Sequence, residues 1–160
     1  MKQSSIVCLR RANETAKTAR AAGNTPFGAV LAAPNGEIIM EQGNAEKEFG
    51  DATAHAEMVL ASRASRAYSK EYLKDCTLYT TCEPCPMCTG AIYWSNIGHI
   101  VYGISEKRLL ELTGGDEKNP TFSMGAKQVI DAGQKDITLE GPVPEVEAEI
   151  VEAHLGFWGK

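Results

Sequence analysis

The sequence predicts an α/β protein of three layers, a five-stranded mixed sheet with helices on both faces. Three observations carry that prediction. Two short apolar runs separated by Pro34-Asn35-Gly36 read as a hairpin near the start of the chain. Helical and strand-like segments then alternate through the second half, the pattern of strands joined by helices that pack across a sheet. No internal repeat, low-complexity tract or linker divides the 160 residues, a length that suits one core and one domain over 1–160.

The first helix is expected over residues 3 to 22, where Ile6, Val7, Leu9, Ala12, Ala16 and Ala19 keep to roughly one face and Gly23-Asn24 supplies a stop. The run from Phe27 to Ala33 suits a buried strand, and Glu37 to Met40-Glu41 forms its hairpin partner. Residues 43 to 53 are polar and irregular. An alanine-rich helical pattern runs from Ala54 to about Ala67, and Thr77 to Thr81 is a third strand. Pro86 is placed to open a helix reaching about Trp94, because a first-turn residue needs no backbone N–H. Ile97 to Gly103 follows as a strand and Glu106 to Leu112 as a short helix. Residues 113 to 121 form a Gly-, Asp- and Pro-rich loop; Ile137 to Leu139 is a last strand, and 145 to 155 a closing helix.

Composition narrows the function. Hydrophobic residues at 43% and charged residues at 23% are an ordinary globular mixture. No stretch approaches the roughly 18 apolar residues of a membrane span. Met1-Lys2-Gln3-Ser4-Ser5 runs straight into a helical pattern, without the apolar segment of a secretory signal, so the expected location is the cytoplasm. A net charge of −5 argues against a nucleic-acid partner and favours a small molecule. The local basic cluster, Arg10, Arg11, Lys17 and Arg20, reads as a solvated helix face. Five cysteines without a secretory signal do not make a disulfide framework, and three of them crowd between Cys82 and Cys88, which points to thiolate or metal chemistry.

Two segments carry that chemistry: Thr53-Ala54-His55-Ala56-Glu57 and Cys82-Glu83-Pro84-Cys85-Pro86-Met87-Cys88. Zinc takes imidazole nitrogen and thiolate sulfur in four tetrahedral positions, so His55, Cys85 and Cys88 can fill three and leave the fourth to water. His55 and the two cysteines sit at helix starts, whose partial positive charge favours thiolate. Zinc lowers the pKa of water from about 15.7 toward about 7. Glu57, two residues and about 200° around the helix from His55, can still reach that water near the helix terminus and carry its proton. The alternative is a closed structural site with Cys82 as fourth ligand, which leaves Glu57 without a task. A redox C-x-x-C would leave both His55 and Glu57 without one.

The pattern H-x-E followed by P-C-x-x-C is complete here as His55-Ala56-Glu57 and Pro84-Cys85-Pro86-Met87-Cys88, and the sequence resembles the cytidine and deoxycytidylate deaminase superfamily. The resemblance is strongest to the bacterial guanine deaminase and tRNA adenosine deaminase branches. It runs from Pro26-Phe27-Gly28-Ala29-Val30 to the last helix, dense around Gly90-Ala91-Ile92-Tyr93-Trp94 and thin after Gly103. It implies the cytidine deaminase-like fold, one Zn2+ per chain held by His55, Cys85 and Cys88, Glu57 as proton shuttle, and a homodimer with pockets near the subunit boundary. It also places Asn44 where the family hydrogen-bonds the base and Phe27 at a pocket wall. Where the family often carries Asp-Pro-Thr, this chain has Asp51-Ala52-Thr53.

The candidate substrate contacts are Asn44, Phe27, Ala56, Trp94 and Asp116, the last placed in a Gly114-Gly115-Asp116 loop able to reach a substrate amino group. Trp94 has a second reading as a core or dimer contact, and His99 and His154 read as surface or packing residues. Phe157-Trp158 is either a packed anchor or a lid. The cysteine motif looks most like guanine deaminase, whereas the tail resembles the tRNA-editing branch in layout. The closing helix carries Glu145, Glu147, Glu149 and Glu152 with Lys160 as the single base, which suits a free nucleobase better than tRNA. The expected reaction is hydrolytic deamination of guanine or a 2-amino analogue such as isocytosine. Cytosine or a nucleoside, ammeline-like triazines, tRNA adenosine and a non-catalytic zinc-binding partner subunit stand as alternatives.

Overall fold

A computed structural model describes residues 3–159. The order of elements is α1 (Gln3–Ala21), β1 (Gly28–Ala32), β2 (Ile38–Gly43), α2 (Glu46–Phe49), α3 (Ala56–Ala67), α4 (Lys70–Lys74), β3 (Thr77–Cys82), α5 (Pro86–Ser95), β4 (His99–Ile104), α6 (Glu106–Thr113), α7 (Ala126–Ala132), β5 (Thr138–Glu140) and α8 (Pro144–His154). The strands form one mixed sheet in the order β2-β1-β3-β4-β5. β1 pairs antiparallel with β2 and β3, whereas β3, β4 and β5 run parallel.

Period-two alternation divides the core into two layers. Val30 and Ala32 of β1, Tyr79 of β3 and Val101 of β4 face Leu9 of α1 and Val146 and Ile150 of α8. Their neighbours Ala29, Leu31, Leu78 and Ile100 face Leu60 of α3 and Ile92 of α5. The three-layer expectation therefore corresponds to the observed sheet, with helices on both faces.

Differences lie in the connections. The second strand extends to Gly43, and the segment read as irregular contains α2. α4 and α7 also arise outside the expected elements; Ser69 caps α4, its hydroxyl accepting from the Tyr72 N–H. α3 begins at Ala56, two residues later than expected, because His55 is extended and serves as its N-cap residue. Pro86 occupies the first turn of α5 as expected. Met1, Lys2 and Lys160, on which parts of the terminal readings fall, lie outside the described residues.

This topology gathers one end of the sheet. β3 and β4 are parallel neighbours, so the segments leaving their carboxyl ends, Cys82 to Cys85 and Ser105-Glu106, emerge side by side. β1 runs the other way, which brings its entry at Phe27 to the same end. Carboxyl ends of neighbouring strands are where open α/β sheets hold ligands.

Candidate active site

His55 precedes α3 and Cys85 precedes α5, so two helix starts face each other across the carboxyl end of β3. His55 Nδ1 lies 3.8 Å from Cys85 Sγ and 3.6 Å from Cys88 Sγ. Zinc–sulfur bonds of about 2.3 Å and zinc–nitrogen bonds of about 2.0–2.1 Å at the tetrahedral angle set S···N edges of about 3.6 Å. The triad fits zinc on donor chemistry and on spacing. Among the described residues, the donors that gather within 4.8 Å of one another are His55, Cys85 and Cys88, without Cys82. Cys82, the fourth ligand of the closed structural alternative, is instead buried at the cavity wall.

The local electrostatics favour thiolate at one sulfur. A hydrogen bond from Cys88, then one from His55, holds Cys85 down at about 4 against the effect of burial. Cys88 is pushed well up by its hydrogen bond to Cys85 and by burial. The hydrogen bond to Cys85 raises His55, with burial opposing it. The other His55 nitrogen, Nε2, faces Glu46 Oε1 at 3.7 Å. Glu57 is 7% exposed, and desolvation pushes its carboxyl up to about 7.

His55, Glu57 and Cys85 line a cavity of about 360 Å³. Phe27, Leu109 and Phe122 supply apolar wall, Glu46 and Glu83 supply carboxylates, and Glu106 supplies a carboxyl that burial lifts to about 8. Asn44 lines it too, with both polar side-chain atoms engaged: Nδ2 donates to Glu46 Oε1 at 2.9 Å, and Oδ1 accepts from the Glu46 N–H at 3.1 Å. Asp51-Ala52-Thr53 is held without proline, because Asp51 Oδ1 accepts from both the backbone N–H and the hydroxyl of Thr53.

The other three candidate substrate contacts do not line this cavity. Ala56 is fully buried in the α3 layer. Trp94, at the far end of α5, is 74% exposed and packs edge-on against Tyr93. Asp116 is spent on backbone: Oδ1 accepts from Lys118 N–H and Oδ2 from Gly159 N–H. Among the remaining candidates, His99 bonds Thr138 between β4 and β5. Phe157-Trp158 forms a packed anchor: Trp158 Nε1 donates to His154 Nδ1 at 2.9 Å, and Phe157 lies beneath both Arg20 and Lys118.

No local sequence signature marks Thr25, Glu46, Glu106, Leu109 or the wall 118–122 as cavity lining. Glu83 lies inside the cysteine motif, and the sequence alone assigns it no task. Its carboxylate accepts from the Glu106 N–H through Oε1 and the Ala126 N–H through Oε2, tying the starts of α6 and α7 to the cysteine loop.

Fold and donor set together define a zinc-type hydrolytic enzyme. Residues 2–104 match the model of the cytidine and deoxycytidylate deaminase zinc-binding region. The chain belongs to that deaminase family. It is 34% identical over 158 residues to the "Probable cytosine deaminase" of Schizosaccharomyces pombe, covering 99% of this chain and 94% of that one. It is similar to the solved guanine deaminase of Bacillus subtilis, with 29% identity, a TM-score of 0.62 and coverage of 100% and 98%. It is also similar to a tRNA:A34 deaminase structure, with 28% identity, a TM-score of 0.65 and coverage of 84% and 96%. The similarity to the yeast protein extends through the segment after Gly103, where the motif-based resemblance is thin.

Proposed function

We propose that the chain deaminates a free nucleobase, guanine or a 2-amino analogue such as isocytosine, with water as the second substrate and ammonia as a product. The observation that carries this reading is the cavity of about 360 Å³ in which His55 and Cys85 of the donor triad, Glu57 and an acid-rich wall meet. A flat amino-bearing ring offers N–H donors to the acid side chains of the wall and a face to Phe27 and Phe122, whereas a phosphate would meet the carboxylates of Glu46 and Glu83 with Lys118 as the cation of the lining. The α1 cations are already occupied. Arg10 pairs with Glu149 and Arg11 with Glu41, while Arg20 donates to the carbonyls of Ala153 and Leu155.

His55, Cys85 and Cys88 would hold zinc, whose Lewis acidity would make water nucleophilic near neutral pH. Glu57 takes a proton from the attacking water and passes it to a ring nitrogen; it then takes the proton of the hydroxyl now on the ring carbon and gives it to the amino group, which leaves as ammonia as the C–N bond breaks and the carbonyl forms. Burial raises the Glu57 carboxyl, the direction that suits a group which both takes up and delivers a proton. Glu46 faces the second nitrogen of His55 at 3.7 Å and accepts a hydrogen bond from Asn44 Nδ2, fixing Asn44 beside the substrate. The second Oδ1 lone pair of Asn44 remains able to accept from a base N–H.

A second reading, cytosine as the base, is favoured by the nearly full-length similarity to the yeast protein. Ammonia release by zinc-loaded protein on guanine, isocytosine, cytosine, ammeline, their available nucleosides and tRNA decides among them. The expected result is the highest kcat/KM on guanine or isocytosine. Cytosine leading the free bases selects the second reading, and a preference for tRNA over every free base overturns both.

A further inference from the structure

We infer that Asn119 and Thr25 form a substrate-reading pair in the cavity wall, selecting bases with a hydrogen-bond acceptor, a ring carbonyl or ring nitrogen, outside the reacting amidine. The inference rests on the proposed deaminase reading. Both residues line the same cavity as Glu57, and both carry a buried polar atom without a protein partner: Nδ2 of Asn119 and Oγ1 of Thr25. Buried polar groups are normally hydrogen-bonded, so two unpaired ones on residues that line one cavity mark a place where a ligand that settles against the wall completes the bonding.

Both are held in position. Asn119 follows a tight turn, its N–H donating to the Asp116 carbonyl, and the Asp116 carboxylate gathers the N–H groups of Lys118 and Gly159. Phe157, beneath Arg20 and Lys118, pins the same loop against the C-terminal tail. Thr25 follows Asn24, whose side chain donates to Glu48 and accepts from Lys47 N–H, and the Thr25 carbonyl accepts from Phe27 N–H. An amide NH2 only donates, so the group it meets must accept; a hydroxyl can donate to a second lone pair or accept from a neighbouring ring N–H. Guanine, isocytosine and cytosine all offer a carbonyl oxygen. 2-Aminopyrimidine, whose two ring nitrogens both flank the amino-bearing carbon, offers no acceptor of either kind outside the reacting amidine.

The test is steady-state kinetics on the best base, with calorimetric titration of that base into zinc-loaded protein carrying Glu57→Gln. Asn119→Ala is expected to raise KM and Kd about tenfold with kcat within about twofold, and Asn119→Asp to raise them further by setting an acceptor against an acceptor. Thr25→Val should weaken binding while Thr25→Ser retains it. The loss should shrink for 2-aminopyrimidine, which lacks that acceptor, a discrimination that a purely structural role would not produce. Zinc content and unfolding midpoint equal to wild type establish that the variants fold. Wild-type turnover with unchanged KM and Kd in Asn119→Ala and Thr25→Val overturns this inference alone. A wild type that neither binds nor deaminates any base overturns the functional reading and this inference with it.

Discussion

His154 shows how much one buried side chain contributes here. Its ring is 3% exposed, accepts from Trp158 Nε1 and meets Phe27 edge-on with centroids 5.4 Å apart. Burial first, and the Arg20 charge second, pull its pKa down from 6.5 to about 4. The unfolded chain therefore binds a proton near pH 6.5 that the folded chain refuses until about pH 4, and this residue's contribution to stability is lost as pH falls through that window. The full difference corresponds to about 3 kcal/mol. Urea midpoints for wild type and His154→Gln at pH 7.5 and pH 4.5 should show a steeper acid loss in wild type. Parallel loss in both proteins would exclude His154 as the source. Raised carboxyls such as Glu106, lifted by burial to about 8, act with the opposite sign, so the comparison between proteins isolates the histidine. The same residue packs behind Phe27, linking stability to the cavity wall.

At the scale of elements, α1 and the β1–β2 hairpin meet through their smallest residues. Gly28 and Gly43 stand opposite each other in the antiparallel register. A Cβ at Gly28 would lie 2.2 Å from the Ala12 carbonyl oxygen, and one at Gly43 2.8 Å from the Ala19 Cβ. The alanine stripe that marked the first helix is thus also the stripe that lets it sit close. Gly28→Ala is expected to cost about 1–3 kcal/mol by overpacking and, through adjacent Phe27, to lower kcat/KM as well. Chemical denaturation and kinetics check both; unchanged values would show that α1 shifts at no cost. Local pattern made these larger elements legible: the apolar face of α1, the apolar run of β1, and Pro86 opening α5 each correspond to the structure. α2, α4 and α7 were not legible. They span 4, 5 and 7 residues, too short for an apolar period to emerge.

Across the whole molecule, the metal-binding motifs were legible because donor chemistry imposes residue types and spacing. The cavity wall was not. Thr25, Glu46, Glu106 and Asn119 come from four separate segments that only the sheet order brings together, and none carries a local signature. Asp116 was legible as a polar loop residue, yet its carboxylate serves the tail while Asn119, three positions on, lines the cavity. Charge behaves similarly at this scale. Glu147 and Glu149, read from sequence as an anionic helix face, pair with Arg108 and Arg10 and bind α8 to α6 and α1. Among the described residues no helix is long and apolar enough to cross a membrane.

The central claim is that Glu57 moves the proton at a zinc site built by His55, Cys85 and Cys88. Ammonia release on the preferred base, measured beside zinc content for wild type and Glu57→Gln, addresses it most directly. The expected result is about one zinc per chain in both proteins and a loss of kcat on the order of 10²–10⁴-fold in the variant. Equal turnover by the variant at equal zinc content, or a wild type active without zinc, would contradict it.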